Sequence, residues 1–130
     1  MRIATWNVNS LTARLPRVEE WIGYAKPDVL CLQETKQAEA SFPHGAFAAL
    51  GYESAHHGDG RWNGVALLSR VGLDNVTRGL GDGTGDGTGD GPGADVDDQG
   101  PRAIAADCGG VRVVSASRDF SRANQASLAG

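Results

Sequence analysis

The sequence predicts an α/β fold, and three observations support that prediction. An alternating segment at residues 2–6 precedes an amphipathic helical pattern, and a continuous apolar block, Val29 to Leu32, follows. Strand, helix and strand at this spacing form a β-α-β unit. Further strand-like runs then continue to about residue 116. With 130 residues, 40% of them hydrophobic, the chain is long enough for one domain with a real core.

The first strand and the first helix are read from residues 2 to 27. The strand ends in a polar run at residues 7–10. Pro16 fits best in the first turn of a helix, so Leu11 to Arg14 are expected to be an irregular segment before it. Pro27 ends the helix. The apolar residues that fall on one helical face, at steps of three and four, are Leu11, Leu15, Val18, Ile22 and Ala25.

The second strand is expected to be buried on both faces, because Val29 to Leu32 are all apolar. Glu34 follows the carboxyl end of that strand. If the first two strands are parallel, Asn7 and Glu34 emerge at the same edge of the sheet, where α/β proteins usually bind ligands. Glu34 is therefore the first candidate for chemistry. The alternative is a solvated strand end at which Glu34 pairs with Lys36.

The remainder of the chain alternates short elements with turns. Residues 42–50 predict a short helix with Gly51 at its C-terminal cap. Strands are predicted at 52–56 and 64–69, with a turn between them, and an edge strand is predicted at 72–77. A hairpin around Gly109-Gly110 joins strands at 102–108 and 111–116. We expect residues 1–116 to form part of one domain and residues 117–130 to form a loose tail.

Charge does not exclude a nucleic acid partner. The formal net charge is -4, but residues 80–98 hold six aspartates and no basic residue. The glycine-rich repeat in this segment predicts a flexible solvated loop, because its composition cannot build a packed core. Calcium binding by its regularly spaced aspartates is a less favoured alternative, since the repeat does not match a calcium-binding nonapeptide.

Cysteine and histidine usage gives no metal or redox motif. Cys31 and Cys108 both lie in apolar strand-like stretches and predict buried reduced thiols. His44, His56 and His57 are expected at the surface or in turns rather than as ligands. The N-terminus lacks the apolar region of a signal peptide, and no stretch reaches membrane-spanning length. We therefore expect a cytoplasmic protein that does not contact a membrane.

Three motifs together resemble the exonuclease III family of abasic-site DNA repair nucleases. They are Trp6-Asn7-Val8-Asn9-Ser10-Leu11, then Asp28-Val29-Leu30-Cys31-Leu32-Gln33-Glu34-Thr35-Lys36, then Asn63-Gly64-Val65-Ala66-Leu67-Leu68. This family belongs to the endonuclease/exonuclease/phosphatase superfamily, which shares the fold of pancreatic deoxyribonuclease I. The resemblance implies a four-layer α/β sandwich of which this chain is an N-terminal portion.

The resemblance also implies Mg²⁺- or Mn²⁺-dependent hydrolysis of DNA phosphodiesters. Glu34 matches the metal carboxylate, and Asn7 matches a residue beside it in the catalytic and metal-binding network. The implied partner is double-stranded DNA, at abasic sites or 3′ ends, bound by a monomer. The residues that fall where phosphate or DNA contacts are expected are Asn9, Lys36, Arg61, Asn63 and Arg102.

The likeness stops after about Ser115. A Tyr-x-Pro-Asn-Gly element, an Asp-x-Asn pair and an Asp-His pair are expected next, and the sequence has none of them. We therefore expect a catalytically incomplete chain, arising from a shifted reading frame or an early stop near codon 116. Two other readings stay open. One is a superfamily hydrolase of another phosphoester, and the other is a non-catalytic DNA-binding module that uses Lys36, Arg61, Trp62, Arg70, Arg78 and Arg102.

Overall fold

A computed structural model describes residues 1–60, 62–79 and 102–117. The first half of this region contains β1 (Ile3–Asn7), α1 (Leu11–Ala25), β2 (Val29–Gln33), a 3₁₀ turn (Glu39–Ser41) and α2 (His44–Ala49). It is followed by β3 (Glu53–His57), β4 (Val65–Ser69), β5 (Asp74–Arg78), β6 (Ala103–Cys108) and β7 (Val111–Ala116). The predicted loop at residues 80–98 and the predicted tail at 117–130 lie outside the described residues, apart from Ser117.

The strands form two sheets. The first has the order β1-β2-β4-β3, and the second has the order β5-β6-β7. β1 and β2 are parallel, as the β-α-β pattern predicts, and Asn7 lies opposite Gln33. β2 and β4 are antiparallel. The β6–β7 hairpin turns at Gly109 and Gly110, both with positive φ, and β5 is the edge strand predicted from the sequence.

Strand β2 separates two apolar cores. Its even-numbered residues, Leu30 and Leu32, pack with the helices, where Leu11, Ile22 and Phe47 are buried. Its odd-numbered residues, Val29 and Cys31, pack against the second sheet. Burying each large aliphatic or aromatic side chain contributes roughly 1.5–3 kcal/mol. The described residues thus form a helix layer and two sheet layers of the expected sandwich.

Helix α1 begins earlier than predicted. The expected irregular segment from Leu11 to Arg14 is helical, and Pro16 lies inside the helix. The backbone N–H of Leu11 donates to the carbonyl oxygen of Thr35 at 2.9 Å, so the start of the helix is fixed by a neighbouring turn. Pro16 removes one internal N–H bond, and tertiary packing of Leu11 and Val18 offsets that loss.

The two cysteines lie in the core between the sheets, as predicted. Both are buried free thiols. Burial raises the pKa of Cys31 to about 11, and burial also raises the pKa of Cys108. None of the helices in the described residues has the length and apolar character needed to cross a bilayer.

Candidate active site

Asn7 and Glu34 meet at the carboxyl edge of the parallel pair β1 and β2. The Asn7 Nδ2 group donates to Glu34 Oε2 at 2.7 Å. The Asn7 Oδ1 atom accepts the backbone N–H of Asn9 at 3.1 Å. These two bonds define the orientation of the Asn7 amide, because one end is a donor and the other an acceptor. Asn7 therefore orients the carboxylate, and Glu34 Oε1 accepts no hydrogen bond from the described residues.

Lys36 completes this cluster through Asn9. Its Nζ atom donates to Asn9 Oδ1 at 2.8 Å. The ammonium therefore contacts Asn9 rather than the Glu34 carboxylate, and the alternative of a Glu34–Lys36 ion pair is wrong. Asn7, Asn9, Glu34 and Lys36, called here the edge cluster, are joined by two side-chain hydrogen bonds and by the bond from the Asn9 backbone N–H to Asn7 Oδ1. They bring together a carboxylate, two amides and a positive charge.

The backbone is strained in the turns that carry most of the edge cluster. Glu34 has φ 54°, Lys36 has φ 55°, Asn9 has φ 47° and Ser10 has φ 92°. These four are among only six non-glycine residues with positive φ in the described part of the chain. Such conformations cost of the order of 1–3 kcal/mol each and persist only where the surroundings hold them. They concentrate in the two turns that follow β1 and β2.

Backbone hydrogen bonds hold the two turns together. The N–H of Ser10 donates to the carbonyl oxygen of Glu34 at 2.8 Å. On the other side, the N–H of Thr35 donates to Gly64 at 3.1 Å and that of Lys36 donates to Asn63 at 3.0 Å. The turn at residues 34–36 is thus bonded on both sides, which supplies the restraint that its conformation requires.

Gly64 allows the close approach of these two segments. Its φ is +122°, and a Cβ atom built there would lie 2.2 Å from Thr35 Oγ1. No side chain fits in that space. The Asn63-Gly64 motif therefore has a packing role that the sequence alone did not indicate.

The other predicted contact residues lie at different positions. Asn63 is half-buried and accepts the Lys36 N–H through its carbonyl oxygen, besides other contacts. Arg102 directly precedes β6, and its carbonyl oxygen accepts the N–H of Ser117 at 2.8 Å. Arg61 lies outside the described residues. Arg70 lies at the opposite end of β2 from Lys36, and its Nε atom donates to Asp28 Oδ1 at 3.0 Å.

Three further residues lie behind the edge cluster. The Nε2 atom of His56 lies 2.7 Å from Thr35 Oγ1, and its Nδ1 atom lies 2.6 Å from Glu39 Oε1. His56 is 1% exposed, so the expectation that it lies at the surface is wrong. Alternation along β3 could not reveal this, because Ala55 and His56 are adjacent and both are buried. His44, by contrast, is exposed.

The edge cluster fits a hard divalent cation. Such cations take oxygen ligands, and Mg²⁺ commonly keeps several waters and needs one or two carboxylates plus a substrate phosphate. Glu34 Oε1 accepts no hydrogen bond from the described residues. The side-chain oxygen of Asn7, Oδ1, keeps a second lone pair beside the one that accepts the Asn9 N–H. Among the same residues, no group of three histidine, cysteine, aspartate or glutamate side chains is placed to bind a metal. The donor set therefore matches Mg²⁺ or Mn²⁺ better than Zn²⁺.

Comparison with known sequences identifies the family. Residues 4–128 match the profile of the Endonuclease/Exonuclease/phosphatase family. The chain belongs to this family. Exodeoxyribonuclease III of Haemophilus influenzae is a relative of this Endonuclease/Exonuclease/phosphatase chain, with 39% identity over 80 residues. That alignment covers 62% of the chain and 30% of the relative, so the chain spans less than a third of the relative's length.

Solved structures agree with this family assignment. An AP endonuclease from Archaeoglobus fulgidus matches with a TM-score of 0.75 and 33% identity, over 99% of this chain and 47% of the other. The 3′ phosphatase NExo from Neisseria, bound to a product DNA hairpin, matches with a TM-score of 0.74 and 38% identity, over 89% of this chain and 40% of the other. The expected deoxyribonuclease I-like α/β architecture is thereby confirmed for the family member described here.

Proposed function

We propose that this chain carries the metal-carboxylate portion of a DNA phosphodiester hydrolase of the exonuclease III type. The observation that supports this most directly is the Asn7–Glu34 hydrogen bond of 2.7 Å at the shared edge of β1 and β2. It orients a carboxylate whose second oxygen accepts no bond from the described residues. The relatives named above are a DNA exonuclease, an AP endonuclease and a 3′ phosphatase.

Glu34 is the proposed ligand of Mg²⁺ or Mn²⁺, with Asn7 beside it as orienting residue and second oxygen donor. A divalent cation held there supplies polarisation of the phosphoryl group and stabilises the leaving oxygen. The protein's own contribution is to hold the carboxylate in one orientation before DNA arrives. The strained turn at residues 34–36 and its bonds to Asn63 and Gly64 serve that purpose.

Lys36 and Asn9 are the proposed phosphate contacts nearest to the metal. The Lys36 ammonium is held by Asn9 Oδ1 at 2.8 Å and keeps further donors for a phosphate oxygen. Arg61, Asn63 and Arg102 are proposed to contact the DNA backbone farther along. The proposed partner is double-stranded DNA at abasic sites or 3′ ends, bound by one copy of the chain in the cytoplasm.

Water activation requires a group beyond the edge cluster. A general base must lie within hydrogen-bond reach of the attacking water. The edge cluster has one carboxylate and no histidine, and the sequence has no Asp-x-Asn pair after residue 116. We therefore propose that the 130-residue chain binds metal and DNA but hydrolyses DNA far more slowly than its relatives, because catalytic groups act as a unit.

The experiment measures Mn²⁺ binding by calorimetry and incision of an abasic-site duplex with Mg²⁺ or with EDTA. Glu34→Gln is compared with Glu53→Gln, which changes an exposed glutamate on β3. We expect Glu34→Gln to weaken Mn²⁺ binding at least about tenfold, which corresponds to about 1.4 kcal/mol. Glu53→Gln should match the wild type. Equal Mn²⁺ affinity in wild type and Glu34→Gln, or incision that survives EDTA, would contradict the proposal.

A further inference from the structure

A row of three side chains, of which Thr35 and His56 are buried and Glu39 is exposed, lies directly behind the proposed metal site. Thr35 Oγ1 lies 2.7 Å from His56 Nε2, and His56 Nδ1 lies 2.6 Å from Glu39 Oε1. Thr35 is 0% exposed and His56 is 1% exposed. Thr35 stands between Glu34 and Lys36 in the chain, so this row reaches the centre of the strained turn from the inside.

We propose that Glu39, His56 and Thr35 form a positioning relay that holds the turn at residues 34–36. The relay fixes the directions in which the side chains of Glu34 and Lys36 project from the turn. This inference rests on the proposed function, because it assigns the purpose of the turn to metal and phosphate binding. None of the three residues is proposed to touch the metal or the DNA.

The conformation of the turn explains why such a relay is needed. Glu34 and Lys36 both have positive φ, with Thr35 between them. Their side chains are half-buried, whereas the Thr35 side chain points inward and is buried. A buried hydroxyl is costly without a partner, so the bond between Thr35 and His56 favours the one turn conformation that forms it. Loss of this bond removes the reason for the hydroxyl to stay inside.

The His56 ring packs closely against its neighbours. Phe42 stacks on it with ring centroids 4.3 Å apart. A Cβ atom at Gly58 would lie 2.5 Å from the ring, so the glycine leaves just enough room. Arg78 Nε donates to the His56 carbonyl oxygen at 2.9 Å and lies 3.7 Å from Glu39 Oε2. A ring held in this way can define the position of the hydroxyl it contacts.

The charges around the ring favour one arrangement of protons. Glu39 faces Nδ1, and the Gly58 N–H donates to Glu39 Oε1 at 3.1 Å. Burial lowers the pKa of His56, His44 and His57 act in the same direction, and Glu39 opposes them. If the proton of neutral His56 is on Nδ1, beside the carboxylate, Nε2 accepts a hydrogen bond from the Thr35 hydroxyl. The Nδ1 contact is close but is not aligned as a hydrogen bond with any described residue.

Three substitutions test the relay in the full 130-residue chain. Thr35→Val keeps the shape and removes the hydroxyl, while Thr35→Ser restores a hydroxyl. Glu39→Gln removes the charge at the outer end and keeps the shape of the side chain, which is 51% exposed. Glu53→Gln is its matched control, because it changes an exposed glutamate on the strand that carries His56.

Two readouts are used, and the first needs no metal. Amide hydrogen exchange at residues 35 and 36 reports how often the turn opens. Mn²⁺ affinity by calorimetry reports whether Glu34 is held in place. We expect Thr35→Val to exchange about fivefold to tenfold faster and to bind Mn²⁺ about fivefold more weakly, the loss typical of one hydrogen bond. Thr35→Ser should recover most of both properties, and Glu39→Gln should show a smaller change of about twofold.

Several outcomes overturn the relay. Unchanged exchange in Thr35→Val and Glu39→Gln would show that the turn is held without it. Faster exchange with unchanged Mn²⁺ affinity would show that the three residues stabilise the turn but do not position Glu34 for metal binding. If Thr35→Val does not fold, the relay is tested by comparing amide exchange and Mn²⁺ affinity in Glu39→Gln with those in Glu53→Gln. Failure of the wild type to bind Mn²⁺ would refute the proposed function, and the metal-free exchange would then decide the relay alone.

Discussion

The two ends of strand β2 each carry a carboxylate, and only one of them is fully bonded. Before the strand, Asp28 Oδ2 accepts the Arg2 N–H at 2.7 Å and Oδ1 accepts Arg70 Nε at 3.0 Å. After the strand, Glu34 Oε2 accepts the Asn7 amide at 2.7 Å, and Oε1 has no donor among the described residues. The first carboxylate ties the sheet together. The second is oriented by one hydrogen bond and is the proposed cation ligand.

The backbone hydrogen bonds and φ angles also differ between the two ends of β2. At the Asp28 end, its N–H donates to the Arg2 carbonyl and its carbonyl accepts the Arg70 N–H, at 2.9 and 3.0 Å. Lys26 has positive φ there, but it is the C-terminal cap of α1, where that conformation is ordinary. At the Glu34 end the strained residues lie in turns. Regular hydrogen bonding thus lies at one end of β2 and the strained turns lie at the other, where such conformations persist only if their surroundings hold them.

The largest expected effect is the loss of the close approach at Gly64. Gly64→Ala places a methyl group 2.2 Å from Thr35 Oγ1, at a φ of +122°. We expect the free energy of unfolding to fall by about 2–4 kcal/mol, since overpacking and positive φ both oppose the side chain. Urea unfolding followed by tryptophan fluorescence measures this change.

Gly23→Ala is the control for that substitution. Gly23 lies in the last part of α1, and a Cβ atom there meets nothing within 4 Å. We expect it to raise the free energy of unfolding by about 0.5–1 kcal/mol, the usual gain of alanine over glycine in a helix. A similar loss of stability at both glycines would show that the turn is no tighter than the rest of the molecule.

The second prediction separates binding from stability at the two carboxylates. Asp28→Asn should lower the melting temperature and leave Mn²⁺ affinity unchanged, because it weakens the bonds to Arg2 and Arg70. Glu34→Gln should change metal-free stability by no more than about 0.5 kcal/mol, as most surface changes do. It should weaken Mn²⁺ binding as stated above. Calorimetry with and without Mn²⁺ measures both stability and affinity. Weaker Mn²⁺ binding in Asp28→Asn would contradict the different roles assigned to the two carboxylates.

The third prediction concerns pH. Burial lowers the pKa of His56 from 6.5, so the folded state favours the neutral ring. The stability this provides is complete above pH 6.5 and is lost as the pH falls through the folded-state pKa. The hydrogen bond from the Arg2 N–H lowers the pKa of Asp28 from 3.8. The stability that ionised Asp28 contributes is therefore lost only as the pH falls below 3.8. Unfolding measured from pH 7 to pH 3 should therefore show two separate declines.

Substitutions assign these two declines to the two ends. His56→Gln should remove the decline just below pH 6.5 and keep the lower one. Asp28→Asn should reduce the lower decline, to which Asp107 also contributes because hydrogen bonds from Asn75 and Arg112 lower its pKa. If the wild type and His56→Gln lose stability in parallel between pH 7 and pH 5, the first assignment is refuted.

The smallest expected effect is on the salt dependence of DNA binding. Lys36→Met should reduce the slope of log affinity against log salt by about one for an abasic-site duplex, the loss of one phosphate contact. Arg70→Met removes a cation at the opposite end of β2 and should leave the slope unchanged. Fluorescence anisotropy at several salt concentrations measures both slopes. Equal reductions of the slope in Lys36→Met and Arg70→Met would contradict the proposed position of the DNA at the Glu34 end of β2.

Much of the fold could be predicted from local patterns. The apolar run from Val29 to Leu32 and the helical spacing of Leu11, Val18 and Ile22 predicted the β-α-β unit, and parallel pairing placed Asn7 next to Glu34. These predictions succeed because burial and period act over a few residues. The start of α1 was wrong because a bond from Leu11 to the distant Thr35 decides it.

The supporting residues of the site could not be predicted in the same way. His56 and Gly64 are distant in sequence from Thr35, and Glu39 is distant from His56, so these contacts form only in the folded chain. His56 also lies beside another buried residue in β3, which hides its inward direction. Thr35 and Gly64 lie inside the sequence motifs, but their supporting contacts were not predicted, and His56 and Glu39 lie outside those motifs.

The bonds at the start of α1 have a consequence for how the chain folds as it is synthesised. Ser10 makes no side-chain cap, and the N–H groups of Ser10 and Leu11 are satisfied by the carbonyl oxygens of Glu34 and Thr35. A helix of 15 residues that contains Pro16 and Gly23 is not stable alone in water. We therefore expect the nascent helix to become stable only after β2 and the turn at residues 34–36 have left the ribosome. The first helix and the edge cluster are then expected to become ordered together.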